Sequence, residues 1–222
     1  MTGRTSSLPE TAADARRVLV EGNARFAAAV AGGAGLSVTP EDVGLASPAG
    51  GTPEQRPFAA ILGCSDARVP LELILGQQAN DIFVVRVAGN VLGTDGLGSL
   101  EFAVEQLESV RLLVVIGHVG CGAVALASQA YLDPRSYLAT AANLPLRSVL
   151  NPIAPAIRNA ALALEREHGA SVTASPGYRD ALAGAAAVTR QPDADDGDPT
   201  VEIAIATPIQ DDLLPQVRGR RH

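Results

Sequence analysis

Residues 58–68 read FAAILGCSDAR, and residues 112–122 read LLVVIGHVGCG. In each stretch an apolar run ends in glycine and is followed at once by side chains that can ligate a metal or carry a proton. Apolar runs without alternation are typical of strands that are buried on both faces of a parallel sheet. Each stretch therefore predicts a buried strand that brings reactive residues to the carboxyl edge of one sheet, where open α/β sheets bind their ligands.

A third apolar run, at residues 82–87, and several helix-like segments complete the pattern. Strand and helix alternate along the chain, which predicts an α/β fold: a mostly parallel central β-sheet flanked by helices, with right-handed crossovers. A late strand at residues 201–206 alternates between polar and apolar side chains, and we expect it at an edge of the sheet. The expected helices cover residues 70–75, 99–107, 123–131 and 148–168.

Residues 8–31 carry apolar side chains at spacings of three and four, which predicts an N-terminal amphipathic helical arm. A stretch rich in Gly, Pro, Ser and Thr follows, which indicates a long loop. A helical arm joined by such a loop often packs on a partner subunit, and we expect this arm to do so. Residues 192–199, PDADDGDP, predict an acidic solvated turn. We therefore expect one domain (1–222) in four parts: a helical arm (1–34), a loop (35–56), an α/β core (57–190), and an acidic loop with a terminal strand (191–222).

The composition excludes several classes of protein. The 222 residues are 47% hydrophobic and 18% charged, which indicates a folded domain with its own core and not a disordered chain. The net charge is −7, so we expect neither a nucleic acid nor a membrane surface as partner, because both require clustered positive charge. Two cysteines cannot form a disulfide framework, and no apolar run approaches a membrane span, which favours a cytoplasmic location.

Cys64, His118 and Cys121 directly follow two of the predicted strands and form a candidate metal site. Zinc binds thiolates, imidazoles and carboxylates tetrahedrally, and three firm ligands with an open fourth position are typical of a catalytic site. Asp66, two residues beyond Cys64, is the candidate for the fourth position. Such a metal lowers the pKa of a bound water and supplies hydroxide near neutral pH. Spacing alone leaves another interpretation open, because an isolated Cys or His is most often an ordinary buried side chain.

Two other chemistries also remain open. The glycines of residues 117–122 follow a strand and open a helix, as in dinucleotide sites, but their order is not G-x-G-x-x-G. The candidate acid further on, Asp133, has no strand before it to carry it to a ribose. The second alternative is thiol catalysis, with Cys64 or Cys121 activated by His118. A thiol enzyme would survive a chelator and lose its activity to an alkylating agent.

Five motifs carry a resemblance to a known family, and together they extend from about residue 15 to residue 130. They are Glu21-Gly-Asn-x-Arg25-Phe26, Cys64-Ser-Asp66-x-Arg68-Val, Asp81-Ile-Phe83-Val-Val-Arg86-x-Ala-Gly89-Asn90, Gly98-Ser-Leu-Glu101-Phe102-Ala-Val and His118-x-x-Cys121-Gly-Ala-Val. In these motifs the sequence resembles the β-class carbonic anhydrases, whose zinc-binding signature matches the second motif and the last.

The resemblance implies a zinc enzyme, a carbonate dehydratase with one Zn²⁺ per chain, that hydrates CO₂ reversibly to bicarbonate and a proton through a zinc-bound hydroxide. Cys64, His118 and Cys121 match the family's zinc ligands. Asp66 and Arg68 match its catalytic dyad, in which Arg holds the carboxylate, and in some members the Asp binds zinc instead. The family also implies a homodimer or homotetramer.

Pocket residues carry over in the same way. Gln55 matches a polar residue of the substrate pocket, Phe83 an aromatic wall and Gly89 a pocket-lining backbone position, while Phe102 stands where many members have Tyr. For both Phe residues simple core packing is the alternative. We expect Arg86 to support the fold or the subunit interface and not to touch substrate.

The sequence also departs from the family pattern. Val87 replaces a common Asn, and past about residue 185 the match weakens, where the family usually has another long helix before its last strand. Two alternative functions therefore stay open: a catalytically weak or inactive zinc-binding paralogue, and a related hydrolase that acts on carbon disulfide or carbonyl sulfide.

Overall fold

The structure is a computed structural model of the chain, and it describes residues 8–32, 54–187 and 203–204. Its strands are β1 (Ala59–Gly63), β2 (Ile82–Arg86), β3 (Leu112–Ile116) and β4 (Ile203–Ala204). Its α-helices are α1 (Ala12–Ala31), α2 (Leu71–Ile74), α3 (Thr94–Gln106), α4 (Gly122–Leu132), α5 (Pro134–Ala141), α6 (Leu144–Leu150), α7 (Ala154–His168) and α8 (Tyr178–Ala187). Short 3₁₀ turns cover Ala88–Asn90, Asn151–Ile153 and Ala170–Ala174.

The four strands form one sheet in the order β2-β1-β3-β4. The central strand β1 runs parallel to both neighbours, with Ala60 paired to Phe83 on one side and to Leu113 on the other. The short β4 pairs antiparallel to β3 and lies at the edge, as its alternation indicated. The predicted α/β fold with a mostly parallel sheet flanked by helices is therefore confirmed.

Every residue of β1 is buried, because the strand is covered on both faces and paired on both sides. Ala59 and Ile61 belong to a core cluster that includes residues of α1 and α2. Ala60 and Leu62 point the other way, into a cluster with residues of α3. Such two-sided burial explains why the run 58–63 lacks the polar alternation of a half-exposed strand.

The N-terminal helix α1 begins after Thr11, whose side chain accepts a hydrogen bond from the backbone N–H of Asp14. Ala15 and Leu19 on this helix are completely buried in the core of the same chain. Gly22 lies so close to the carbonyl group of Leu75 that a Cβ atom there would overlap it. The arm thus packs on its own chain, and the expectation that it packs on a partner subunit is wrong for this face.

The helical regions differ from the expected pattern in several places. The single helix expected at 148–168 is divided into α6 and α7 by a 3₁₀ turn around Pro152, because proline lacks the N–H that a continuous helix requires. The sequence pattern did not predict the helices α5 and α8. Asp133 directly precedes α5, and its carboxylate accepts a hydrogen bond from the backbone N–H of Arg135. Asp133 is thus a helix cap in this chain.

Some expectations fall outside the described residues: most of the loop at 35–56, the acidic turn at 192–199, and all of the terminal strand except residues 203–204. In the ranges that the structure describes, none of the helices is long and apolar enough to cross a membrane.

Candidate metal centre

Three potential ligands meet at the carboxyl edge of the sheet. Cys64 comes directly after β1, His118 comes two residues after β3, and Cys121 is the residue that precedes the first turn of α4. Because β1 and β3 are parallel neighbours, their carboxyl ends lie side by side and bring the three side chains together. All three residues are buried.

The ligand atoms lie within 4.8 Å of one another. The two sulfur atoms are 3.8 Å apart. Two thiolates bound to one tetrahedral zinc at about 2.3 Å would also lie about 3.8 Å apart. The sulfur positions therefore suit a single tetrahedral ion.

His118 has one ring nitrogen engaged and one without a partner. Its Nδ1 lies 3.1 Å from the carbonyl oxygen of Val119, to which it donates when protonated. Its Nε2 is buried and has no hydrogen-bond partner in the described part of the chain. A buried polar atom without a partner is costly, whereas a metal ion would satisfy its lone pair. Two thiolates and an imidazole nitrogen form a donor set that zinc prefers, so the residues fit this ion.

Asp66 and Arg68 form a bidentate ion pair beside these ligands. Arg68 donates from Nε to Oδ1 over 2.9 Å and from Nη2 to Oδ2 over 2.7 Å. Its backbone N–H also donates to Oδ1. These bonds, the side-chain ones first, hold the pKa of the Asp66 carboxyl far below its usual range and raise the pKa of Arg68. Asp66 is therefore ionised throughout the neutral range.

The ion pair connects the two loops of the site. Oδ2 of Asp66 is 3.8 Å from Nε2 of His118, so the carboxylate faces the ligand nitrogen even while Arg68 holds it. Nη2 of Arg68 also donates to the carbonyl oxygen of Gly120 over 3.0 Å. Gly120 has a φ of +70°, a backbone conformation that favours glycine. Sequence reasoning considered Gly120 only as a dinucleotide glycine and missed its contact with Arg68.

Cys64 accepts a hydrogen bond from the backbone. The N–H of Gly89 lies 3.3 Å from its sulfur. Gly89 has a φ of +65°, and a Cβ atom there would lie 2.8 Å from Cδ1 of Ile153. Glycine is therefore required for the amide to approach the sulfur so closely.

Cys121 lies at the start of α4 in a mostly apolar environment. Burial raises the pKa of its thiol, while hydrogen bonds from the backbone of Val124 and Ala123 partly offset this rise. A metal ion must therefore displace a proton from this thiol when it binds.

Three of the predicted pocket residues are not brought to these ligands within one chain. Gln55 is exposed and lies beyond the amino end of β1, whereas Cys64 lies beyond its carboxyl end, so the length of the strand, about 16 Å, separates them. The rings of Phe83 and Phe102 pack against each other on the α3 side of the sheet, with centroids 6.4 Å apart. Phe102 is half exposed. Gly89 is the one predicted pocket residue that touches a ligand.

The geometry defines a class of site: a cysteine–histidine cluster that could hold a metal ion, with a carboxylate–guanidinium pair beside it, at the carboxyl edge of a parallel sheet. A family model described as carbonic anhydrase matches residues 59–191, which is more than half of the chain. The chain therefore belongs to the β-class carbonic anhydrase family, as its motifs predicted.

Curated relatives carry the same name. The chain is 44% identical to a carbonic anhydrase of Mycolicibacterium smegmatis over 108 residues, which are 49% of this chain and 48% of that protein. It is 40% identical to carbonic anhydrase 2 of Mycobacterium tuberculosis over 144 residues, or 64% of this chain and 62% of that protein. The matches thus span about half to three fifths of these relatives.

The chain is also similar to solved structures. The β-carbonic anhydrase of Coccomyxa in complex with acetazolamide aligns over 76% of this chain and 64% of its own, with a TM-score of 0.48 and 23% identity. A tetrameric β-carbonic anhydrase structure from Sordaria macrospora aligns over 77% of this chain and 74% of its own, with a TM-score of 0.43 and 24% identity.

Proposed function

We propose that the protein is a zinc-dependent carbonate dehydratase that catalyses the reversible hydration of CO₂ to bicarbonate and a proton. The observation that carries this proposal is the convergence of three buried ligand atoms within 4.8 Å, beside a bidentate carboxylate–guanidinium pair. Membership of the carbonic anhydrase family supports it. The names of the relatives support it as well.

Cys64, His118 and Cys121 would hold one Zn²⁺ per chain. When bound, zinc supplies a Lewis acid that lowers the pKa of a water ligand and so makes a nucleophile available near neutral pH. Asp66 stays ionised because Arg68 holds it, and an ionised carboxylate only accepts hydrogen bonds. Because it faces Nε2 of His118, it would orient a hydroxyl donor beside the ligands.

Arg68 fixes which way that carboxylate points. Its fork-shaped guanidinium matches both carboxylate oxygens, and its third contact, to Gly120, ties the Asp66 loop to the His118–Cys121 loop. In this arrangement Arg68 would keep the Asp66 carboxylate from binding the metal and leave it free to accept a hydrogen bond.

We also propose that Gln55, Phe83, Gly89 and Phe102 contribute to substrate binding in a homodimer or homotetramer. Within one chain only Gly89 reaches the centre, so the other three would act only in an assembly. Exposed apolar side chains on and before α3 support such an assembly: Leu92, Leu97 and Phe102. Light scattering coupled to size-exclusion chromatography tests it, and a monomer at assay concentration with full activity would contradict it.

Neither Cys64 nor Cys121 is in a disulfide, and a thiol must be reduced to bind zinc. We propose that the protein is cytoplasmic, because the reducing cytoplasm keeps thiols in this state.

The decisive experiment combines metal analysis with a stopped-flow CO₂ hydration assay on the purified protein. We expect about one zinc per chain and turnover that a strong chelator abolishes. Full zinc occupancy without turnover would identify an inactive paralogue. Turnover of carbon disulfide or carbonyl sulfide in place of CO₂ would identify the related hydrolase. Activity that survives the chelator but is lost to an alkylating agent would identify thiol catalysis.

A further inference from the structure

We propose that Arg86 is a positioning residue for the metal centre, whose guanidinium holds the turn that carries Cys64 and Asp66. The inference rests on the proposed function, since it concerns how that site is kept in shape. Arg86 is the last residue of β2, and its partner in the parallel ladder is Gly63, directly before Cys64.

The guanidinium makes two hydrogen bonds to backbone carbonyl groups of this turn. Nε donates to the carbonyl oxygen of Cys64 over 2.9 Å, and Nη2 donates to that of Asp66 over 2.6 Å. One planar group thus holds the backbone of both Cys64, a potential metal ligand, and Asp66, which carries the carboxylate. A lysine ammonium is a point donor and lacks this fixed fork.

The two hydrogen bonds of Arg86 lie where the backbone ladder between β1 and β2 ends. The ladder between β1 and β2 continues through the N–H of Val87 to Gly63 and the N–H of Ser65 to Val87. Beyond Ser65 the chain leaves the sheet. The Arg86 side chain bonds the carbonyl oxygen of Cys64 just before that point and the carbonyl oxygen of Asp66 just after it, so that the Cys64 sulfur and the Asp66 carboxylate keep their relative position.

Arg86 touches neither the ligand atoms nor the carboxylate in the described contacts, so it acts through the backbone. Outer hydrogen bonds that orient metal ligands typically contribute 10- to 100-fold to metal affinity. We therefore expect the loss of Arg86 to weaken zinc binding within this range and to let Asp66 leave Arg68.

The chain offers a matched control in Arg111. Its guanidinium also bonds backbone carbonyl groups, from Nε to Glu10 over 3.1 Å and from Nη1 to Val110 over 3.2 Å and to Glu108. Arg111 lies directly before β3, at the edge of the sheet opposite to the metal ligands. Removing Arg111 costs hydrogen bonds of the same kind, but none of these bonds supports the metal centre.

The experiment compares Arg86→Met, Arg86→Lys and Arg111→Met with the wild type. Zinc affinity is measured by competition with a chromophoric chelator, and the Co²⁺-loaded proteins are compared by visible absorption, which reports coordination without turnover. We expect Arg86→Met to bind zinc 10- to 100-fold more weakly and to change the cobalt spectrum, with Arg86→Lys between it and the wild type. Arg111→Met should keep its zinc affinity within about twofold, whatever it loses in melting temperature.

Equal zinc affinities and equal cobalt spectra for Arg86→Met and Arg111→Met would overturn the inference. If Arg86→Met does not fold, Arg86→Lys decides, and wild-type affinity and spectrum in that variant would overturn it equally. A wild-type protein that binds no zinc would instead overturn the proposed function, on which the inference rests.

Discussion

The backbone N–H of Gly89 points at the sulfur of Cys64, with nitrogen and sulfur 3.3 Å apart. The contact joins the 3₁₀ turn after β2 to the first ligand after β1. It requires a left-handed backbone at Gly89 and no side chain there, because Ile153 and Ala123 occupy the adjacent space. The 3₁₀ turn and the start of α4 are thus packed around this sulfur.

Replacing Gly89 with alanine should therefore destabilise the protein and loosen the metal. The new Cβ would lie 2.8 Å from Cδ1 of Ile153 and 3.2 Å from Cβ of Ala123. The left-handed backbone alone costs an alanine about 1–2 kcal/mol. With the overlap added, we expect a loss of about 2–4 kcal/mol in the free energy of unfolding, measured by urea denaturation, and a lower zinc content.

Gly98 provides the control for this substitution. It lies within α3, and a Cβ there would meet nothing within 4 Å. Gly98→Ala should stabilise the protein by about 0.5–1 kcal/mol, because alanine has the higher helix propensity. If both variants unfolded at the same urea concentration and held the same zinc, the packing described for Gly89 would be wrong.

The three ligands make the most direct prediction. Cys64→Ser, His118→Ala and Cys121→Ser should each lose zinc retention through gel filtration, and with it CO₂ hydration, because each removes one of three converging donors. The measurement is zinc per chain by atomic emission, followed by the stopped-flow assay.

His168→Ala is the matched control for His118→Ala, since His168 is exposed near the end of α7. It should keep the wild-type zinc content and rate. A purified Cys64→Ser protein that still held one zinc per chain would refute the ligand assignment.

Arg68→Ala should separate metal binding from catalysis. Without the guanidinium the pKa of Asp66 rises toward its ordinary value of about 3.9, so the carboxylate is still ionised at neutral pH but is no longer held. A free carboxylate beside Nε2 of His118 can move onto the metal. We expect a zinc-loaded protein with a much lower rate, measured by metal analysis and stopped flow on the same sample.

The same pair also affects stability in acid. Because folding lowers the pKa of Asp66, its pairing stabilises the protein above the unfolded pKa, about 3.9, and this contribution is lost as the pH falls through the lower folded value. Arg68→Ala should therefore show less loss of stability below about pH 4 than the wild type. Arg17→Ala, which breaks an exposed arginine–aspartate pair with Asp14 on α1, is the control for the rate of CO₂ hydration measured in Arg68→Ala. A wild-type rate in Arg68→Ala would exclude the role of the pair in catalysis.

Local patterns were sufficient to predict the strands and the convergence of Cys64, His118 and Cys121. The parallel strands β1 and β3 are continuous apolar runs, and the reactive residues follow them within five positions, so sequence neighbours determine both. The hydrogen bonds of Arg86 to the turn at Cys64 could not be predicted. They depend on a guanidinium at the end of β2 that reaches the turn after β1. Gln55 and Cys64 are separated because they lie at opposite ends of β1, and the family motifs alone do not indicate this.

The surface that covers the helical arm could not be predicted, for a related reason. Its amphipathic face was evident, but amphipathicity does not say which surface covers that face. The deciding feature is Gly22, which lets α1 reach the backbone after α2, and that contact joins residues more than fifty positions apart. A side chain of Asn23 reinforces it by donating to the carbonyl oxygen of Ile74 over 3.1 Å.

Gly22→Ala should consequently disrupt the packing of α1 on the core. A Cβ there would lie 1.8 Å from the carbonyl oxygen of Leu75, and this backbone atom cannot move aside as a flexible side chain would. Either α1 shifts and exposes the buried Leu19, or the turn after α2 distorts, and we expect a cost of about 3 kcal/mol or more. Hydrogen exchange should then show faster exchange in α1 than in β1. Gly184→Ala in α8, where a Cβ meets nothing within 4 Å, is the control, and equal melting temperatures for the two variants would contradict the packing of the arm on its own chain.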